Sequence, residues 1–229
     1  MKKNVSAPAQ FNQGNFLDTP QLASGITRFW FIRHALVEQN ARMNLYGTLD
    51  VPLCPDTLIA QRPMYEALAA RLPREAHWLV TPLSRTRKTA EAIWDAGYGP
   101  AHADVEPGFI EQNLGEWQGM PHSDVTAYLH MPPHPFWPVS ATECPPGGES
   151  MVEVTARAGR ALDRLSHQYA GQNIIAVSHG GAIRAALSHA LSVHIETALH
   201  FSIQNLSVTI LERLDEGWRV VTVNELPGI

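Results

Sequence analysis

Three short apolar runs constrain this chain most, because each one breaks off abruptly at polar residues. Ile26-Thr27-Arg28-Phe29-Trp30-Phe31-Ile32 ends at Arg33-His34. His77-Trp78-Leu79-Val80 ends at Thr81-Pro82, and Ile174-Ile175-Ala176-Val177 ends at Ser178-His179-Gly180-Gly181. Continuous β-branched and aromatic runs of this length read as strands buried on both faces. Helical spacing follows each run. Leu58, Tyr65, Leu68, Ala69 and Leu72 suit a helix after the first, although Pro63 is comfortable only in a first turn and limits where that helix begins. Ala90, Ile93 and Trp94 suit one after the second, and Ile183, Ala186, Leu187, Ala190 and Leu191 suit one after the third. A longer helix carries Met151, Val154, Ala158, Ala161, Leu162, Leu165 and Tyr169 on one face, with Ser150 and Glu153 as a capping box at its start. Residues 206–211 and 218–223 read as two more strands around Asp215-Glu216-Gly217. Strands alternating with helices predict a three-layer α/β/α sandwich with a mostly parallel central sheet.

The chain has 229 residues, 45% hydrophobic and 17% charged, enough apolar material for a core. Residues 1–25 lack an apolar period and read as a flexible N-terminal arm; residues 26–229 read as a single domain. Between about 119 and 148, Pro121, Pro132, Pro133, Pro135, Pro138, Pro145 and Pro146 prevent regular structure through much of the stretch. So long an irregular insertion reads as a functional flap. A net charge of −5 lacks the electrostatic footprint of a nucleic-acid binder. No apolar run reaches the roughly 18 residues that span a bilayer. The opening Met1-Lys2-Lys3-Asn4, with no apolar stretch behind it, is not expected to be a signal peptide. The expectation is a cytoplasmic protein with no nucleic-acid or membrane partner. A homodimer stays an open alternative, since the oligomeric state is not legible here. Cys54 and Cys144 make neither a disulfide framework nor a CxxC pair. His122, His130 and His134 fit no zinc template, so no metal is expected.

The polar residues that end the three runs share one place in such a fold. In an open parallel sheet, ligands bind outside the carboxyl ends of the strands. Arg33-His34, the segment from Thr81 to Arg85, and Ser178-His179-Gly180 all fall at that edge. Two arginines offer a planar, multi-donor site for an anion. Two histidines offer a nucleophile and a proton-responsive partner. The chemistry suggested is phosphoryl transfer through a histidine, without metal.

These residues resemble a known family. Arg33-His34-Ala35 with Asn40 is similar to the R-H-G-x-T-x-x-N signature of the histidine phosphatase superfamily, the phosphoglycerate mutase-like group. Thr81-Pro82-Leu83-Ser84-Arg85 with Thr89-Ala90 resembles its S-P-L-x-R-A-x-x-T-A motif. Glu111, followed by Leu114-Gly115-Glu116-Trp117-Gln118-Gly119, resembles its acid-bearing segment. Gly148-Glu149-Ser150 and Ser178-His179-Gly180-Gly181 match its G-E-S and S-H-G-G. The five motifs stand in the family's order. The resemblance implies that His34 is the nucleophile and forms a phosphohistidine. It implies that Arg33, Arg85 and His179 clamp the phosphate oxygens, that Asn40 adds a neutral donor, and that exposed amides at Gly180 favour phosphate. Glu111 would be the acid that protonates the leaving alkoxide and then the base that activates water, with Glu116 as a close competitor. No cofactor is implied, and the partner is a phosphorylated small-molecule substrate.

Three departures bear on the fit. Ala35 replaces the usual glycine, which matters if the backbone there needs glycine's freedom. Thr81 for serine is conservative. Cys54 and Pro55 depart from the family's D-x-P-L-T segment and leave the start of the first helix open.

The group holds mutases and phosphatases. Between Lys88 and Arg157 there is no Lys or Arg, and that interval contains Glu111 and the whole flap. The flap offers His122, Tyr128, His130, Met131, His134, Phe136 and Trp137, which suits a substrate whose organic part is neutral or ring-bearing. A phosphatase of a small-metabolite phosphomonoester is therefore the expectation, with a mutase, or a silent phosphate-binding relative, as alternatives. Arg42, Arg62 and Arg87 are the cations left to serve a second anion. Trp30, Trp78 and Trp94 read as core, Trp117 and Trp137 as pocket rim, and Glu149 as a loop anchor.

Overall fold

The computed structural model describes residues 25–215 and 217–228. All but Gly25 of the expected N-terminal arm lies outside the described residues. Six strands form one sheet: β1 (Thr27–Arg33), β2 (Ala76–Val80), β3 (Ala103–Val105), β4 (Asn173–Ser178), β5 (Val208–Leu214) and β6 (Gly217–Glu225), in the spatial order β3-β2-β4-β1-β5-β6. The pairs β1–β4, β2–β4 and β2–β3 are parallel, while β1–β5 and β5–β6 are antiparallel. The sheet is therefore mixed but mostly parallel, as the alternation implied.

Residue alternation along the central strands divides the core in two. Phe29 and Phe31 of β1, with Ile174 and Ala176 of β4, pack against α6 (Met151–Gln168) and α7 (Gly180–Leu191). Trp30 and Ile32, with Ile175 and Val177, face the other way onto α3 (Arg62–Arg71) and α4 (Ser84–Ile93). Helices cover both faces, which makes the three layers. Each buried Val, Ile or Phe side chain among these contributes roughly 1.5–3 kcal/mol relative to exposure.

Local chemistry sets the helix boundaries. Ser150 accepts from the Glu153 amide and Glu153 answers at the Ser150 amide, so the expected capping box starts α6. The helix expected from Leu58 to Leu72 is two: α2 (Pro55–Ala60) and α3, broken at Gln61. Pro55 and Pro63 each sit in a first turn, where a missing N–H costs nothing. Cys54 stands at the N-cap position without a side-chain cap, and Pro55 opens α2, which settles the start left open by the departure from the family pattern. α1 (Gln39–Arg42), α5 (His122–Val125) and α8 (Ile195–Ala198) are one-turn helices.

Apart from α5, the flap forms turns tied down by polar contacts and a small core of Leu45, Leu114, Trp117, Val125 and Val139. The buried Glu143 carboxylate accepts from the amides of His130 and Met131 and pairs with the His130 ring at 2.8 Å. Among the described residues no helix is long and apolar enough to cross a membrane, and no group of His, Cys, Asp and Glu is placed to hold a metal.

Candidate active site

β1, β2 and β4 end side by side, so their terminal residues meet. Arg33 is in register with Ser178, and the His34 amide donates to Ser178 O at 2.9 Å. His34 and His179 are buried with ring centroids 5.1 Å apart, edge to face. Hydrogen bonds assign their protons. Nδ1–H of His34 donates to Ala35 O at 2.7 Å, which leaves Nε2 with a free lone pair. Nε2–H of His179 donates to Thr81 Oγ1 at 2.9 Å, and its Nδ1 accepts from Arg85 Nε at 3.4 Å. Burial, then the charges of Arg85 and Arg33, hold the His34 pKa well below the ordinary histidine value. Burial and Arg85 lower that of His179 likewise. Both rings are thus neutral near pH 7, and a neutral imidazole is the nucleophilic form.

Arg85 stands in the first turn of α4, fully buried. Its Nη1 and Nη2 donate to Leu49 O and Gly47 O, each at 2.7 Å, and its guanidinium lies over the Tyr46 ring. The loop that grips it needs glycine at 47: φ is +39°, and a Cβ would fall 2.6 Å from Gln112 O. Asp50 fastens the same loop to α4 by accepting from the Ser84 amide and hydroxyl, both at 2.8 Å. Arg33 donates to Ile203 O, and its buried Nε–H has no partner among the described residues. An unpaired buried guanidinium N–H is costly unless an anion takes it.

Glu111 closes the far side. Its Oε2 accepts from the Gly181 amide at 3.1 Å, and its Oε1 from the Gln112 amide at 2.9 Å. Arg157 of α6 holds the Glu111 segment by donating to Gly108 O and Glu111 O while it pairs with Glu149 at 2.8 Å. Glu149 is the loop anchor expected of it. Glu116 is exposed and lies outside the cavity wall, so Glu111 is the carboxylate at the site.

A cavity of about 250 Å³ adjoins these groups, lined among others by Arg33, Glu111, Gly180, Arg42, Asn44 and Trp137; the buried His34, Arg85 and His179 are not part of its wall. Six of the seven residues expected at the site come together: Arg33, His34, Arg85, Glu111, His179 and Gly180. Asn40 does not join them. It is exposed on α1, its carbonyl accepts from Asn44, and Asn44 lines the cavity instead, as does Asn205. Asn44 lies beyond the end of α1, where an isolated bridge to Pro121 fixes its backbone. Ala35 costs nothing, because it is not among the non-glycine residues with positive φ; its amide donates to Thr89 Oγ1. Of the three cations left for a second anion, Arg42 alone lines the cavity. Arg62 pairs with Glu66, and Arg87 donates to Ala103 O.

The flap differs from the expectation. Of its seven offered side chains only His122 and Trp137 line the cavity. Tyr128, Met131 and Phe136 are exposed elsewhere, His130 is bound to Glu143, and His134 is buried against His200. Trp117 packs in the small core under the flap instead of on the rim. Trp137 donates Nε1–H to Gln112 Oε1 at 2.9 Å and lies against the Arg184 guanidinium. Sequence reasoning assigned no role to Thr81, Gln112, Arg157 or Asn205. Thr81 and Arg157 sit beside recognised motifs, whereas Asn205, which donates to His34 O at 2.7 Å, has no local signal.

A model of the histidine phosphatase superfamily (branch 1) matches residues 29–226. A glucosyl-3-phosphoglycerate phosphatase of Mycolicibacterium vanbaalenii is 33% identical over 173 residues, covering 72% of this chain and 74% of its own. A probable phosphoglycerate mutase of Yersinia enterocolitica is 28% identical over 195 residues, covering 82% and 86%. The solved structure of a mycobacterial glucosyl-3-phosphoglycerate phosphatase shares the fold at a TM-score of 0.72 and 25% identity, over 87% of this chain and 99% of that one. The five ordered motifs therefore express descent as well as chemistry, and the chain belongs to the histidine phosphatase superfamily (branch 1).

Proposed function

We propose that this protein is a phosphatase that hydrolyses phosphomonoesters of small metabolites through a phosphohistidine on His34. The observation that carries the reading is the His34 ring itself: its Nδ1–H is committed to Ala35 O, which leaves Nε2 bare on a ring that sits edge to face with His179 and feels the charges of Arg85 and Arg33. Nε2 attacks phosphorus, and the N–P bond forms as the bond to the leaving alkoxide breaks. Arg33 and Arg85 stabilise the charge on the equatorial oxygens, and His179 adds a cation there once the bound anion brings a second proton onto its ring, with Gly180 at the start of α7 beside them. A proton on Glu111 passes to the alkoxide. Water then attacks the phosphohistidine, Glu111 takes its proton, and phosphate leaves His34 as found. The phosphatase relative supports this assignment and supports a small phosphorylated metabolite as substrate.

The test is phosphate release from a panel of phosphorylated metabolites. His34→Ala reduces release to background, and a rapid quench into alkali, where phosphohistidine survives, traps label on the wild-type chain. Absence of both release and label across the panel overturns the reading.

A mutase is the second reading, because Arg42 on the cavity wall can meet a second acidic group. Incubation with 3-phosphoglycerate separates the two. A phosphatase liberates inorganic phosphate, whereas a mutase yields the 2-isomer.

A further inference from the structure

A second cavity, of about 510 Å³, shares Arg33 and Asn205 with the pocket above. Its wall adds Arg184, Gln61, Ser202 and Gln204 and, among the described residues, includes no carboxylate. Arg33 and Arg184 both reach Gly180: a Cβ there would lie 3.2 Å from Arg184 Nη1 and 3.5 Å from Arg33 Cζ, so the two cations are close neighbours. Their side-chain hydrogen bonds go to neutral backbone carbonyls, Ile203 O for Arg33 and Phe201 O and Gly180 O for Arg184. Burial and the adjacent Arg33 pull Arg184 down to about 10, against the opposing pull of Glu111. Among the described residues neither guanidinium hydrogen-bonds a carboxylate, and two neighbouring guanidinium groups offer a planar, multi-donor surface for an anion. Gln61 Oε1 is buried without a partner, and turning that amide over would offer its NH2.

We propose that this second cavity binds a small tetrahedral oxyanion, inorganic phosphate, between Arg184 and Arg33. The reaction's own product is such an ion. Because Arg33 borders both cavities, an anion held beyond it draws its charge from the phosphate in the active site, so the two sites oppose each other. This coupling rests on the phosphatase reading; binding at the second site does not.

Equilibrium dialysis of the full chain against radiolabelled inorganic phosphate tests the site directly. The wild type binds two equivalents. Arg184→Gln binds one, and so does Gln204→Glu, which adds a negative charge at an exposed residue of the second cavity alone. One equivalent on the wild type, or two retained by both variants, overturns the proposal. Inhibition kinetics test the coupling: phosphate inhibits the wild type in a mixed pattern and the Gln204→Glu variant competitively. Purely competitive inhibition of the wild type removes the coupling. A chain that binds two phosphates yet hydrolyses nothing sinks the phosphatase reading and leaves the second site standing; hydrolysis with one equivalent bound does the reverse.

Discussion

The carboxylate of Glu111 and the backbone of Gly181 fit together without room for a methyl group. Oε2 accepts from the Gly181 amide at 3.1 Å, and a Cβ on Gly181 would fall 2.2 Å from Oε1 and 3.1 Å from the Trp137 ring. Gly181 lies in the first turn of α7, so its backbone is ordinary and the demand is one of space. Gly181→Ala must push Glu111 off its seat. A positioned acid–base group contributes about 10²–10⁴-fold to rate, so kcat for phosphate release is expected to fall at least about 100-fold while the melting temperature changes little. Unaltered kcat would show that Glu111 does not move the proton.

Acid pH should destabilise the protein below about 6.5, the ordinary histidine value. His34 and His179 are held neutral in the folded state at pKa values well below it. In that window the unfolded chain binds protons that the folded chain refuses, so the free energy of unfolding, and with it stability, falls as pH falls. The slope is at most about 1.4 kcal/mol per pH unit for each ring. Urea unfolding from pH 7.5 to 5 measures it. His179→Gln should flatten the profile by the share of one group, and a slope identical to the wild type's would refute the assignment.

Glu212 is fully buried between two guanidinium groups, accepting from Arg28 Nε and Arg219 Nε at 2.7 Å each. It joins β5 to β1 and β6 in the interior of the sheet. Removing one member of such a group leaves uncompensated buried charge and costs about 3–5 kcal/mol. Glu212→Ala is expected to lose that much in chemical denaturation, and a loss under about 1 kcal/mol would contradict the account.

Trp137 is the flap's aromatic contribution to the cavity, fixed by Gln112 and Arg184. A ring that touches the organic part of the substrate binds ground state and transition state alike, so its loss appears in KM. Trp137→Ala should raise KM about tenfold on aromatic phosphomonoesters with kcat little changed. The opposite split, kcat lowered and KM constant, would move Trp137 from binding into chemistry.

Much of this was legible before any fold was known. The runs at 26–32, 77–80 and 174–177 became β1, β2 and β4, because an uninterrupted apolar stretch can only be satisfied between two helical layers. Ser150 and Glu153 announced α6, since a capping box involves only four consecutive residues. β3 escaped notice: it has three residues, two of them exposed, too few to carry a period.

The division between the two levels follows from distance along the chain. Sequence alone determined which residues end the strands and which side chains gather at their carboxyl edge, because both are written in short contiguous motifs. Tertiary structure decided which way aperiodic segments face. It turned Asn44 instead of Asn40 into the cavity, sank Trp117 under the flap and left Trp137 on the wall. It also set Arg33 between two cavities, joining residues about 170 positions apart through the Arg33–Ile203 and His34–Asn205 hydrogen bonds. A loop without a hydrophobic period has no preferred face of its own, and takes one only when the packed layers beneath it leave a single way to bury it.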